Sequence, residues 1–190
     1  MSRARVLLFT GRGKGKTTAA LGMALRACGH GLPTLVIQFV KADGSVGEIK
    51  AARHLPSLEI EQYGCGFLPA ASSPKFAAHS ARLRAALSGV EWAAHREAAE
   101  RALGRAREAL ASGRYALVIL DEICYAVHRG LLAEKAVCAL VKSAPASCIL
   151  ALTGRGASRK LQALADTVTE MRCIRHGLRA GRPAQKGVER

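Results

Sequence analysis

The residues most suited to chemistry lie near the start of the chain, in Phe9-Thr10-Gly11-Arg12-Gly13-Lys14-Gly15-Lys16-Thr17-Thr18. Glycines at 11, 13 and 15 let the backbone turn without Cβ clashes, so that N–H groups and a helix N-terminus can face polyphosphate oxygens. Lys16 supplies charge to phosphate. Thr17 supplies the hydroxyl that in such loops ligates Mg²⁺, an ion that prefers hard oxygen donors shared with phosphates. The usual loop has four residues between its first glycine and its Gly-Lys pair. Here Gly11 to Gly15 leaves three. A second acidic signature, Asp121-Glu122, ends the apolar run Tyr115-Ala116-Leu117-Val118-Ile119-Leu120. Acids at such a position hold Mg²⁺ directly or through water, or orient a nucleophile; alone, they would better suit the cap of the helix that follows, and it is the glycine loop earlier in the chain that favours the metal reading. Arg155, in Thr153-Gly154-Arg155-Gly156, has a planar fork of donors that suits phosphate oxygens and would serve as well in an ordinary salt bridge. Lys41 and Glu48 are further candidates in a polar stretch that also reads as a solvated loop.

These residues fall where alternating strands and helices would bring them to one sheet edge. Val6-Leu7-Leu8-Phe9 reads as a strand before the glycine loop, and Lys16 to about Cys28 as the helix after it, ending at Gly29-His30-Gly31. Thr34 to Val40 is continuous and β-branched, as in a strand buried on both faces of a parallel sheet. Leu58 to Tyr63 alternates as a half-buried strand does. A long connection follows from Gly64, with a helix expected from Ser73-Pro74 to about Leu87. From about Val90 to Ala111 a helix carries Trp92, Ala99, Leu103, Ala106 and Leu110 on one stripe, with Glu97, Arg101 and Arg105 at i,i+4 spacing. A helix near Leu131 to Lys142, a strand at Cys148 to Leu152, a short helix to Ala165 and a last strand from Asp166 to Ile174 complete the pattern. The tail from Arg175 has no periodicity.

The 190 residues fit a single domain, residues 1–190, with an α/β, mostly parallel sheet flanked by helices. A net charge of +15 favours anionic ligands. With aromatics at only 4%, a stacking platform for single-stranded nucleic acid is not indicated. The six cysteines form no C-x-x-C pair and sit mostly in apolar runs, which argues against a structural zinc site. No apolar run approaches transmembrane length and the first strand begins at once, so the expectation is a cytoplasmic protein without signal peptide or membrane association.

The glycine loop, Gly29-His30-Gly31, Val36-Ile37-Gln38-Phe39, Leu120-Asp121-Glu122, Thr153-Gly154-Arg155-Gly156 and Ala165 to Met171 together resemble the ATP:corrinoid adenosyltransferases of the type that acts on cob(I)yrinic acid a,c-diamide. The closing segment, Arg175-His176 and Ala184-Gln185-Lys186-Gly187-Val188-Glu189, fits too. The resemblance implies a RecA-like P-loop fold and transfer of the 5′-deoxyadenosyl group of ATP to a cobalt(I) corrinoid, with triphosphate released and ATP reversed along the loop. It assigns the triphosphate to Gly11, Arg12, Gly13, Lys14, Gly15, Lys16, Thr17 and Thr18, with Arg155 a further contact. Mg²⁺ is assigned to Thr17 and Glu122 with Asp121 close by, and the catalytic positions are Lys16 and Glu122. Phe67, in Gly66-Phe67-Leu68-Pro69, stands where the family often has Gly-Phe-Thr-Trp and is implied to face the corrinoid. Arg12 replaces the family's usual asparagine. The implied partners are ATP, a reduced corrinoid, an electron-donating flavoprotein and a second copy of the chain; nucleic acid is not among them. From the residues alone, a P-loop kinase and a RecA-like nucleic-acid-dependent ATPase stay open, although neither accounts for the short loop.

Overall fold

In the computed structural model the described residues are 3–66, 89–177 and 181–188. Six strands form one sheet: β1 (Arg5–Thr10), β2 (Thr34–Gln38), β3 (Leu58–Gln62), β4 (Leu117–Asp121), β5 (Ile149–Thr153) and β6 (Thr167–Glu170), in the order β3-β2-β4-β5-β1-β6. Every neighbouring pair is parallel. Parallel strands need crossovers, and the described helices are α1 (Lys16–Gly29), α2 (Gly47–Ala52), α3 (Gly89–Ala111), α4 (Ile123–His128), α5 (Glu134–Ser143) and α6 (Arg159–Leu164). This is the α/β architecture of a RecA-like P-loop domain. β5 lies between the loop-bearing β1 and the acid-bearing β4, so the ends of these three strands share one edge.

The pleat sends alternate residues to opposite faces. Val36, Ile119 and Ala151 turn toward α1, which meets them with Ala20, Ala24 and Ala27. Small side chains let that helix lie close to the sheet. Leu35, Ile37, Val118, Leu120, Leu150 and Leu152 turn the other way, into a larger core with α3, α5 and α6. Leu8 and Leu152 there are 1% and 0% exposed, and truncating such a leucine to alanine costs about 2–5 kcal/mol.

The stripe on α3 is buried at Ala99, Leu103, Ala106 and Leu110, and Trp92 packs against the same core. Of the charges on that helix, Arg101 pairs with Glu97 as its spacing implies, but Arg105 reaches across to Glu61 on β3. Three elements differ from the sequence pattern. The polar stretch after Lys41 runs into α2, which buries none of its residues and so carries no apolar periodicity to betray it. Residues 123–128, directly after the acidic pair, form α4. β6 stops at Glu170 rather than Ile174, because the chain turns there across the glycine loop: Met171 N–H donates to Thr10 O at 2.8 Å, and Gly13 N–H donates to Met171 O at 2.6 Å. The helix expected over 73–87 lies outside the described residues. No described helix is long and apolar enough to cross a membrane.

Candidate active site

The glycine loop leaves the carboxyl end of β1 and enters α1 at Gly15, whose φ of 103° is a conformation that a side chain would strain. Gly13 is required for a different reason. A Cβ there would lie 2.7 Å from Met171 O and 2.8 Å from the Arg172 carbonyl. The backbone after β6 therefore rests directly on the loop, and the Gly13 N–H is engaged by protein rather than presented to the cleft.

Lys16 is 5% exposed and folds back over the loop, its Nζ donating to Gly11 O at 3.0 Å and to Gly13 O at 2.7 Å. Burial lowers its pKa from the ordinary lysine value; Glu122 opposes that, and Arg155 adds to it. One residue on, the Thr17 hydroxyl donates to Asp121 Oδ1 at 2.8 Å. Asp121 is 1% exposed and its carboxylate is heavily engaged, also accepting from Thr153 Oγ1 at 2.7 Å on Oδ1 and from Gln38 Nε2 at 3.2 Å on Oδ2. Gln62 extends the chain outward by donating to Gln38 Oε1 at 2.8 Å. Strand register explains this row: Gln38 lies opposite both Gln62 and Asp121, and Leu120 opposite Leu152 brings Thr153 level with Asp121. Buried polar side chains are tolerated because they satisfy one another.

Glu122 behaves differently. Its backbone adopts the left-handed conformation (φ 63°, ψ 19°), anchored by donation from Glu122 N–H to Thr153 Oγ1 at 2.9 Å. Its carboxylate accepts no hydrogen bond among the described residues and lines the cleft. Burial, with the charge of Asp121, raises its pKa above the usual glutamate range, against the pull of Lys16, Arg155 and Lys41. The cleft, about 520 Å³, is walled by Gly13, Lys14, Gly15, Lys16, Thr17 and Thr18, and opposite them by Lys41, Glu48, Glu122 and Arg155. Gly187 and Val188 of the closing segment complete its rim.

Most of the expected site residues thus meet in one place. Asp121 sits behind Thr17 rather than on the cleft wall. Gly11 and Arg12 line a neighbouring groove with Gly156, Gln162, Glu170 and Arg172. Phe67 lies outside the described residues. Sequence reasoning overlooked Gln38, Gln62 and Thr153 as a hydrogen-bonded row; a glutamine ending the apolar run Thr34 to Ile37 was the available signal. For a hard divalent ion, the donor set is suitable: the Thr17 hydroxyl, whose proton is committed to Asp121, and the Glu122 carboxylate on the cleft wall. No cluster of three His, Cys, Asp or Glu side chains that could hold a metal ion occurs among the described residues.

A family model describing ATP:corrinoid adenosyltransferase BtuR/CobO/CobP matches residues 2–190. The chain belongs to this family. It is similar to the corrinoid adenosyltransferase of Pseudomonas aeruginosa, with 35% identity over 98% of this chain and 84% of the relative. That of Escherichia coli is 34% identical over 98% of this chain and 86% of its own length, and a Sinorhizobium corrinoid adenosyltransferase is 32% identical over 97% and 79%. The chain is therefore a transferase of adenosyl groups to corrinoids, and the resemblance read from its motifs was to the right family. Matches of such length reach past β6, so the adenosyltransferase likeness includes the closing segment that helps to wall the cleft.

Proposed function

We propose that this adenosyltransferase moves the 5′-deoxyadenosyl group of ATP to the cobalt(I) of cob(I)yrinic acid a,c-diamide or cobalamin and releases intact triphosphate, in adenosylcobalamin biosynthesis or salvage. The observation that carries the reading is the gathering of Lys14, Lys16, Lys41 and Arg155 around Thr17 and Glu122 in one cleft beside a shortened glycine loop. Residues 14–18 and Arg155 hold the phosphates, the Lys16 ammonium lying against the loop carbonyls of Gly11 and Gly13; Gly11, Arg12 and Gly13 shape the loop from its far side. With ATP reversed along that loop, C5′ takes the position that the γ-phosphate has in kinases. The electron pair of cobalt(I) then forms the carbon–cobalt bond, and the C5′–O5′ pair leaves with triphosphate, so cobalt becomes formally cobalt(III). Because the metal of the substrate is the nucleophile, no general base is needed. Thr17 and Glu122 would hold Mg²⁺, with Asp121 orienting Thr17, and the ion when bound neutralises charge on the phosphate oxygens. The protein's own part is to orient, to place cations along the leaving group and to exclude water. Phe67 supplies an apolar wall for the corrinoid. The chain works as one domain, as a homodimer in the cytoplasm, and takes electrons for its corrinoid from a flavoprotein.

The test is a product assay with MgATP and chemically reduced corrinoid under anaerobic conditions, read by phosphorus NMR. Triphosphate equimolar with adenosylated corrinoid is expected, and loss of both products in Lys16→Ala. ADP as the main phosphate product, or turnover that needs DNA and no corrinoid, would overturn the proposal.

A further inference from the structure

Facing the glycine loop across the cleft is a lysine outside the motif. Lys41 follows β2, its side chain 17% exposed, with Nζ 2.9 Å from Glu48 Oε1 and 3.6 Å from Asp121 Oδ2. Asp121 does not depend on it, since Gln38, Thr17 and Thr153 already occupy that carboxylate. Glu48 is thus its direct hydrogen-bonded partner, and Glu48 stands on α2, a helix that buries none of its six residues. Lys41 and Glu48 both line the cleft. An entering triphosphate carries several negative charges, which attract an ammonium and repel a carboxylate on the same wall. Because α2 has no fully buried residue, a shift of Glu48 away from Lys41 need not unpack the core.

We propose that Lys41 is a second triphosphate-binding lysine, held in place by Glu48 as a counter-ion until the triphosphate replaces that carboxylate. It completes a clamp: Lys16 on the loop side, Lys41 on the β2 side, and the leaving group between them. The inference rests on the reading of the cleft as a triphosphate site and adds to it a residue, a role and a direction of effect. Glu48 lowers triphosphate affinity, because the ion pair must be broken for binding, and Lys41 raises it.

The two partners of a merely structural ion pair would behave alike when either is replaced. Here they must differ in sign. Calorimetric titration of the full chain with inorganic triphosphate and Mg²⁺ is the experiment, on the parent and on Lys41→Gln, Lys41→Arg and Glu48→Gln, each checked for an unchanged melting temperature. Removing one charge-assisted contact in Lys41→Gln should weaken binding about tenfold. Lys41→Arg keeps the cation and should stay within about threefold of the parent. Glu48→Gln should tighten binding about threefold, since a neutral amide competes poorly for the ammonium. A parent that fails to bind triphosphate would overturn the cleft reading and this inference with it. A parent that binds, with Lys41→Gln unchanged or with Glu48→Gln weakened alongside it, would overturn the inference alone.

Discussion

The two flanks of the cleft are braced by different means. On the β6 side the brace is main chain: Met171 O accepts from Gly13 N–H, and the backbone of residues 171–172 lies where a Cβ on Gly13 would be. The side chains of β6 contribute little, all four of its residues being exposed. On the β2–β3 side the brace is side chain: Gln62, Gln38, Asp121 and Thr153 bond in a row. Beyond them, Arg105 grips Glu61 at 2.8 Å and Tyr115 donates to Glu59 at 2.7 Å. The first brace is sensitive to added volume and indifferent to side-chain chemistry. The second is the reverse.

Substitutions should expose that contrast in order of size. Gly13→Ala forces backbone apart and breaks a hydrogen bond, costing about 3 kcal/mol from overpacking and the lost bond; for a chain of this length that is a fall of roughly 6–12 °C in Tm, with nucleotide binding lost. An unchanged melt would mean that the two backbones are not in contact. Gln38→Leu preserves volume but strips a donor from buried Asp121, for about 1–2 kcal/mol and a measurable loss in Mg²⁺-dependent turnover. If turnover were untouched, the row would not serve the cleft. Arg105→Ala should cost about 1 kcal/mol by denaturant titration, the pair being only partly shielded from water, with little effect on triphosphate affinity. Val168→Ala on β6, 42% exposed, should shift stability by no more than about 0.5 kcal/mol. A larger loss would show that side chains share in the β6 brace.

The same division explains what could be read in advance. Motif residues announce themselves by type and spacing, so Lys16, Thr17 and the Asp121-Glu122 pair were legible, as were the strands carrying them, because a strand buried on both faces is a continuous apolar run. The partition of labour between the two acids came only with the family resemblance, not from the residues themselves. Asp121 is enclosed because register sets Gln38 beside it, and register depends on strands far apart in sequence. The clasp on Gly13 is likewise a contact between residues more than 150 positions apart, made by backbone atoms that carry no residue signature. Arg105 had plausible partners on its own helix and found a better one on β3. α2 stayed hidden because a helix with no buried face has no pattern to show.

The left-handed backbone at Glu122 sets durability against activity. An L-residue in that conformation is disfavoured by roughly 1–2 kcal/mol, and asparagine adopts it more readily than glutamate. The carboxylate itself is disfavoured by burial and by Asp121. Glu122→Asn should therefore melt higher than the parent, by roughly 2–4 °C for each kcal/mol relieved, while losing its Mg²⁺-dependent turnover; a lower melting temperature would show that the strain is not borne there. A selection for heat tolerance alone would drive position 122 toward asparagine or glycine and leave a sturdier, inactive protein.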